Sequence, residues 1–404
     1  MKLLMVSGYL PHPSWGAGAR SYHLLRTLAQ HHTVSLLAVA DPAETDIAGK
    51  TVLLEQYAED VRIVLHSLTR AKRWRQLLYA LRGQSLSLHM CILPSMQQLL
   101  YDLLTSGAYD AVLFESVFLA GYDLPVDIPV IIDQHNIEHE LLRRTYEHEQ
   151  SWLRKWYNWR EYGPLMRGEI ERCSSADLLL VTSERERDLL AHMLPGRRTE
   201  VVPNGVDTQA FCPGADDGQE IEHQLIFTGT MDYYPNTEAV LSFAQQCWPR
   251  IRARVPDATW LIVGRNPSPA VRLLGELPGV TVVGSVPDVR PYLARAAVAL
   301  APLRIGSGTR LKILEALAMR KAVVSTSLGY EGLAALVPGQ HLLIADQPAD
   351  FAENVVELLC HPEKRAALGM AGRALVETCY SWERCGESLL QALSLNSKES
   401  QYIC

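Results

Sequence analysis

Residues 302–315 read PLRIGSGTRLKILE: two glycines among small hydroxyl residues, then Arg310 and Lys312 opening an apolar, helix-period run. A helix start already carries positive dipole charge, so two cations there cost roughly a few tenths of a kcal/mol each. Either both are solvated, or an anion sits with them and reverses the sign of that cost. Gly306 and Gly308 free the backbone, and Ser307 or Thr309 can cap a helix running from about Arg310. Leu311, Leu314, Leu317 and Ala318 give that helix an apolar face. Glu315, one turn on, offers a carboxylate able to accept two hydroxyl hydrogen bonds, as from a ribose. A phosphate grip and a ribose grip at adjacent turns describe a nucleotide site. In the following GYEGL, Glu331 reaches a sugar hydroxyl or is simply solvated.

Three further stretches carry candidate chemistry. His135 stands two residues past the apolar run PVIID (129–133), at a strand's end where a reacting group would be met, although a lone histidine is also a common structural residue. Glu138 and His139 beyond it have no third ligand spaced to make a metal site. In SGYLPHPSWGAGARS, Gly16, Gly18 and Arg20 precede a helix expected from near Ser21, which suits either an anion or an ordinary glycine turn. As a dinucleotide fingerprint this stretch is poor, with no third glycine and no acidic residue ending the second strand. In FTGTMDYYPNTEAV, Gly229 and Thr230 end a strand and Asn236 or Thr237 is placed to cap the helix after Pro235.

Short apolar runs must position these groups. Candidate buried strands lie at 2–7, 33–39, 61–65, 110–114, 129–133 and 177–182, and a second series at 224–229, 259–264, 280–284, 297–301, 322–326 and 341–344. Helical segments separate them, notably 18–31, 136–173, 236–254, 309–320, 350–359 and 362–378. Strands alternating with helices predict parallel sheets covered on both faces, with ligands outside the carboxyl ends of the strands. Pro203, Asn204 and Gly205 in VVPNGVD (201–207) predict a linker between two α/β domains. The expected division is 1–202, 203–380 and a last segment, 381–404, whose helix at 382–396 packs back across both domains.

Composition excludes several classes. A chain of 404 residues with 48% hydrophobic and 21% charged residues is globular and large enough for two cores. Its net charge of −7 gives no pull toward nucleic acid. The eight cysteines are scattered without a C-x-x-C pair, which reads as reduced thiols in a cytoplasmic protein. MKLLMVSGYL is too short an apolar run for a signal peptide and is expected to be a buried strand, and no stretch approaches a membrane span. The segment 61–82 stands apart: Arg62, Arg70, Lys72, Arg73, Arg75 and Arg82 interleave with Trp74, Leu77, Leu78, Tyr79 and Leu81, and no acid occurs from Val61 to Leu100. Such a segment can dock on the inner face of an anionic membrane or bind a polyanionic acceptor; a solvated helix is the alternative.

VVPNGVD, GTRLKILEALAMRKAVVST and GYEGL together resemble glycosyltransferase family 4, over nearly the whole chain. FTGTMDYYPN and DQHNIE resemble bacterial members associated with exopolysaccharide synthesis. The resemblance implies the GT-B architecture, two Rossmann-like domains that close about 201–207. It also implies a retaining, metal-independent hexosyl transfer from a nucleoside diphosphate sugar to a lipid-linked or saccharide acceptor. No cofactor is called for, the nucleotide sugar being a substrate. By position, Glu315 matches the second Glu of the family's E-x7-E motif and the ribose contact. His135 matches the histidine that approaches the donor sugar, and the loop 16–20 the one facing the donor phosphates and the acceptor. Two departures stand out. The first motif Glu is Ser307, and the family's Arg and Lys after the first strand of the second domain are Thr230 and Pro235. Arg310 and Lys312 are then the substitutes for that lost charge. A nucleotide-sugar epimerase on the same architecture and a non-catalytic nucleotide- or glycan-binding scaffold are the alternatives.

Overall fold

A computed structural model describes residues 1–13, 16–44, 46–67, 79, 82–149, 151–214 and 219–399. The chain forms two compact units: Met1–Pro203 joined by the segment from Cys385 onward, and Asn204–Arg384.

Unit 1 is built on a seven-stranded sheet, every pair parallel, in the order β3-β2-β1-β4-β5-β6-β7. The strands are β1 Lys2–Ser7, β2 Thr33–Ala40, β3 Asp60–Leu65, β4 Ala111–Phe114, β5 Val130–Gln134, β6 Leu178–Val181 and β7 Thr199–Val201. Their side chains alternate between two faces, and both faces are covered, which is why the strands read as unbroken apolar runs. Leu3 and Met5 of β1 pack with Leu24, Leu25 and Leu28 of the helix Gly16–Ala29. Leu4 and Val6 enter a second cluster with Met96, Leu100 and Leu104 of the helix Pro94–Ser106. Leu389, Ala392 and Leu393 of the last helix, Trp382–Glu399, complete the first of these clusters.

Unit 2 has a six-stranded parallel sheet in the order β10-β9-β8-β11-β12-β13. Its strands are β8 Gln224–Thr228, β9 Thr259–Val263, β10 Val280–Gly284, β11 Val298–Ala301, β12 Ala322–Ser325 and β13 Leu343–Ile344. Trp260 of β9 is wholly buried, with Phe243 edge-on at 4.7 Å and Trp248 at 5.9 Å.

Several elements differ from the sequence expectation for identifiable reasons. The expected helix 136–173 is two helices, Glu138–His148 and Trp152–Ser174, and between them the Glu149 carboxylate accepts from the Ser151 N–H. The expected helix 236–254 breaks at Cys247. Pro249 follows in the first turn of Trp248–Arg254, where its missing N–H is harmless, whereas it would interrupt a continuous helix. GAGAR is not a loop: the helix starts at Gly16. Arg62 of the basic segment 61–82 lies on edge strand β3, in agreement with the strand expected at 61–65, and its Nε is 2.8 Å from Asp60. Arg70, Lys72, Arg73, Arg75, Trp74, Leu77, Leu78 and Leu81 lie outside the described residues. Among the described residues no helix is long and apolar enough to cross a membrane.

Candidate functional site

The strand order of unit 2 reverses between β8 and β11, so the carboxyl ends of these neighbours form a topological switch point, where parallel sheets bind ligands. β8 delivers Gly229 and Thr230 there, and β11 is followed by Gly306–Arg310 and the helix Leu311–Ala318. Lys312 spans the two sides. Its Nζ donates to Asn236 Oδ1 at 2.8 Å and stands 3.9 Å from the centre of the Phe227 ring. The Asn236 amide in turn donates to the Thr230 carbonyl at 2.9 Å. Gly229, with φ 151, makes this closeness possible: a Cβ there would come within 2.8 Å of the Asn236 amide and 2.9 Å of Lys312 Nζ.

Electrostatics mark the same place. Burial draws Lys312 down to about 7, and Arg310 lowers it further while Glu315 opposes both. Burial pushes Glu315 up to about 7, offset in part by Lys312. A cation and a carboxylate both drawn toward neutrality, three residues apart on one helix, suit a ligand that brings a negative group and hydroxyls.

The turn before the helix has a different local chemistry from the one expected. Arg310, not Ser307 or Thr309, is the residue before the helix, and no side chain caps it. Thr309 Oγ1 instead accepts from the Asn204 amide at 2.5 Å. Gly306 and Gly308 take φ 145 and φ 72, and the Arg310 guanidinium folds back to the Ser307 carbonyl. Asn236 and Thr237 do not cap either: the helix begins at Tyr234, and Thr237 bonds the Met231 carbonyl at 2.6 Å. Glu331 is half-buried in the turn after β12.

Unit 1 carries a second constellation, at the carboxyl ends of β1, β4 and β5. Glu115 follows β4, and Asp133 and His135 stand at the end of β5. His135 Nε2 lies 3.0 Å from Asp133, and Nδ1 lies 3.5 Å from Glu115. Burial disfavours the imidazolium, but Asp133 and then Glu115 outweigh it and raise His135 above its usual range. Burial pushes Glu115 up to about 7, against His135 and the hydroxyl of Tyr9, which donates to it. Burial would raise Asp133 too, yet Arg20 and His135 hold it at about 2.

Arg20 corrects the expectation of a loop facing phosphates and acceptor. It is 1% exposed, its Nε and Nη2 fork onto Asp133 at 2.9 and 2.6 Å, and Nη1 donates to the Val202 and Pro203 carbonyls. Gly16 and Gly18 are in the first turn of its helix. His139 is also accounted for: its Nδ1 is 2.7 Å from Glu169, which accepts from the Glu138 and His139 N–H groups as well. Glu115, Asp133 and Tyr9 escaped the sequence reading. In the sequence Asp133 reads as the end of a strand, and an acid directly after an apolar run is the available signal for Glu115.

Two family models match. "Glycosyltransferase Family 4" covers residues 16–210 and "Glycosyl transferases group 1" covers 222–361. A GDP-mannose-dependent monoacylated alpha-(1-6)-phosphatidylinositol monomannoside mannosyltransferase of Corynebacterium glutamicum is 32% identical over 212 residues, 48% of this chain and 55% of that protein. A GDP-mannose-dependent alpha-(1-6)-phosphatidylinositol monomannoside mannosyltransferase of Mycolicibacterium smegmatis is 26% identical over 63% of this chain and 70% of that protein. The chain thus spans about half the length of the first of these relatives. Sucrose-phosphate synthase from Thermosynechococcus elongatus superposes with a TM-score of 0.75 at 18% identity, covering 99% of this chain and 100% of that one. Anabaena HepE in complex with UDP-glucose superposes with a TM-score of 0.65 at 14% identity, over 98% and 99% of the two chains. These likenesses show the GT-B fold.

Proposed function

We propose that the chain, whose two halves match the two glycosyltransferase models, moves a hexose from a nucleoside diphosphate sugar to a lipid-linked or saccharide acceptor, with retention at the anomeric carbon. The observation that carries this reading is the Lys312–Asn236 tie across the β8/β11 switch point, with Glu315 one turn beyond. Lys312 and the N–H groups of 306–309 meet the diphosphate, Arg310 adds charge, and Glu315 accepts from the ribose hydroxyls. The donor sugar lies where the missing motif Glu leaves the Ser307 turn to hold it.

In the reaction the bond from the anomeric carbon to the diphosphate oxygen breaks, and its electron pair leaves with the nucleoside diphosphate. The acceptor oxygen attacks from the same face and passes its proton to the departing phosphate oxygen. No protein nucleophile is required. The barrier falls because the growing phosphate charge meets cations and N–H groups already in position. The family resemblance gives His135, held through Nε2 on Asp133 at 3.0 Å, the part of approaching the donor sugar. The two sequence relatives take GDP-mannose and glycolipid acceptors, so GDP-mannose is the first donor to try and a mannosylated phospholipid the first acceptor. A place in exopolysaccharide synthesis is the alternative setting for the same chemistry.

Titration calorimetry with GDP and UDP tests the donor site. The Glu315→Gln variant is expected to bind the preferred diphosphate about ten- to a hundredfold more weakly, since a charge-assisted hydrogen bond contributes about 1.5–3 kcal/mol. Unchanged affinity would remove Glu315 from the ribose. Binding of neither nucleotide by the native protein would favour the scaffold reading.

A further inference from the structure

The helix Trp152–Ser174 of unit 1 turns Glu161, Leu165, Glu169 and Cys173 inward. Its opposite face begins with Trp152, Trp156 and Trp159, spaced by four and three residues and so stacked along one side. They are 75%, 57% and 61% exposed, and Leu153 beside them is 58% exposed. Scattered single apolar residues on a surface need no explanation, but an aligned run of the largest ones does. Nothing in the transfer chemistry uses them.

Their company narrows the partner. Arg154 and Arg160 are exposed, and Lys155 extends over the Tyr146 ring. From Trp152 to Arg160 there is no acid. The acids on either side are engaged: Glu161 accepts from Ser85 Oγ and the Ser87 N–H, Glu149 from the Ser151 N–H, and Glu147 pairs with Arg143. In a chain of net charge −7, the stretch 152–160 thus carries three cations and three indoles without an acid. Indole combines an apolar ring with an N–H donor and is favoured at the headgroup level of bilayers, whereas an aliphatic stripe would suit a protein groove equally well. We propose that the Trp152–Arg160 face is an interfacial membrane-docking surface that seats unit 1 on anionic lipid. The proposal stands apart from the transferase reading and from the 61–82 segment.

Flotation with phosphatidylcholine vesicles, with and without about one-third phosphatidylglycerol, tests it. The full chain is expected to float with the anionic vesicles, with a blue shift in tryptophan emission, and salt should weaken the binding. Trp152→Ser/Trp156→Ser/Trp159→Ser should lose binding at least about tenfold with an unchanged melting midpoint, because the positions are exposed. Arg154→Gln/Lys155→Gln/Arg160→Gln should erase the preference for anionic over neutral vesicles. Equal flotation of native and triple-serine proteins, or none by either, overturns the assignment. So does a native dimer that the serine variant turns into a monomer, since the stripe would then join two copies of this chain.

Discussion

Lys312→Met is expected to lower kcat/KM for the nucleoside diphosphate sugar by about a hundred- to a thousandfold, the range seen when one preorganised donor to a developing oxyanion is removed. Most of the loss should fall on kcat. Lys312 is held by Asn236 at 2.8 Å and rests on the Phe227 ring, so its charge needs no rearrangement as the phosphate departs. Methionine fills the same volume over the ring, so the melting midpoint should hardly move. The pH profile supplies a second check. Burial places Lys312 at about 7, so the unliganded protein loses this charge as pH rises, and donor affinity should fall on the alkaline side. Burial also places Glu315 at about 7, so its carboxylate is lost as pH falls, and affinity should fall on the acid side too. The two limbs belong to an interacting pair. Lys312→Met should abolish the alkaline limb and Glu315→Gln the acid one. A flat profile from about pH 6 to 8 would contradict the placement of both groups.

Arg20→Met is expected to destabilise unit 1 by about 3–5 kcal/mol, the usual consequence of leaving one member of a buried ion pair alone. Both partners are 1% exposed, and the variant would leave buried Asp133 with His135 as its remaining charged neighbour and remove the donor to the Val202 and Pro203 carbonyls. Arg20→Met/Asp133→Leu should recover more than half of the loss, because the buried carboxylate that lost its guanidinium is gone as well. Urea unfolding followed separately for each unit measures this. A single variant as stable as the native chain, or a double variant no better than the single, would refute the argument. The same pair sets an acid limit. Asp133 is depressed from its ordinary 3.8 to about 2, so its contribution is fully present above the ordinary value. That contribution disappears as pH falls through about 2.

The sheets were legible because both of their faces are buried. Runs such as KLLMVS and DLLLVT have no alternation to confuse with an amphipathic helix, and their ends are located to within about two residues. β7 is not among the expected strands and meets the expected linker only at Val201, since a short edge strand such as TEV needs no apolar run. The turn at 306–310 and its helix were legible too: Gly306 and Gly308 take positive φ, and the apolar period of Leu311, Leu314 and Leu317 lies on a helix. What could not be read was pairing between distant segments. Arg20 looks like a phosphate ligand until Asp133, more than a hundred residues away, takes its guanidinium. The capping residues were misplaced for a related reason. Asn236 and Thr309 are good caps in isolation, but Lys312 and Asn204 recruit them first.

The route of the backbone has a consequence for how the molecule is made. Asn204–Arg384 is an insertion within the other unit, and its two ends meet where Val206 pairs with Ser381 and its N–H reaches the Tyr380 carbonyl. A closed insertion of this kind can fold as soon as it has been synthesised. The host cannot, because Leu389, Ala392 and Leu393, which cover Leu24, Leu25 and Leu28, leave the ribosome only after the entire insert. The half encoded first is thus completed last, and the inserted half matures ahead of the one that carries it.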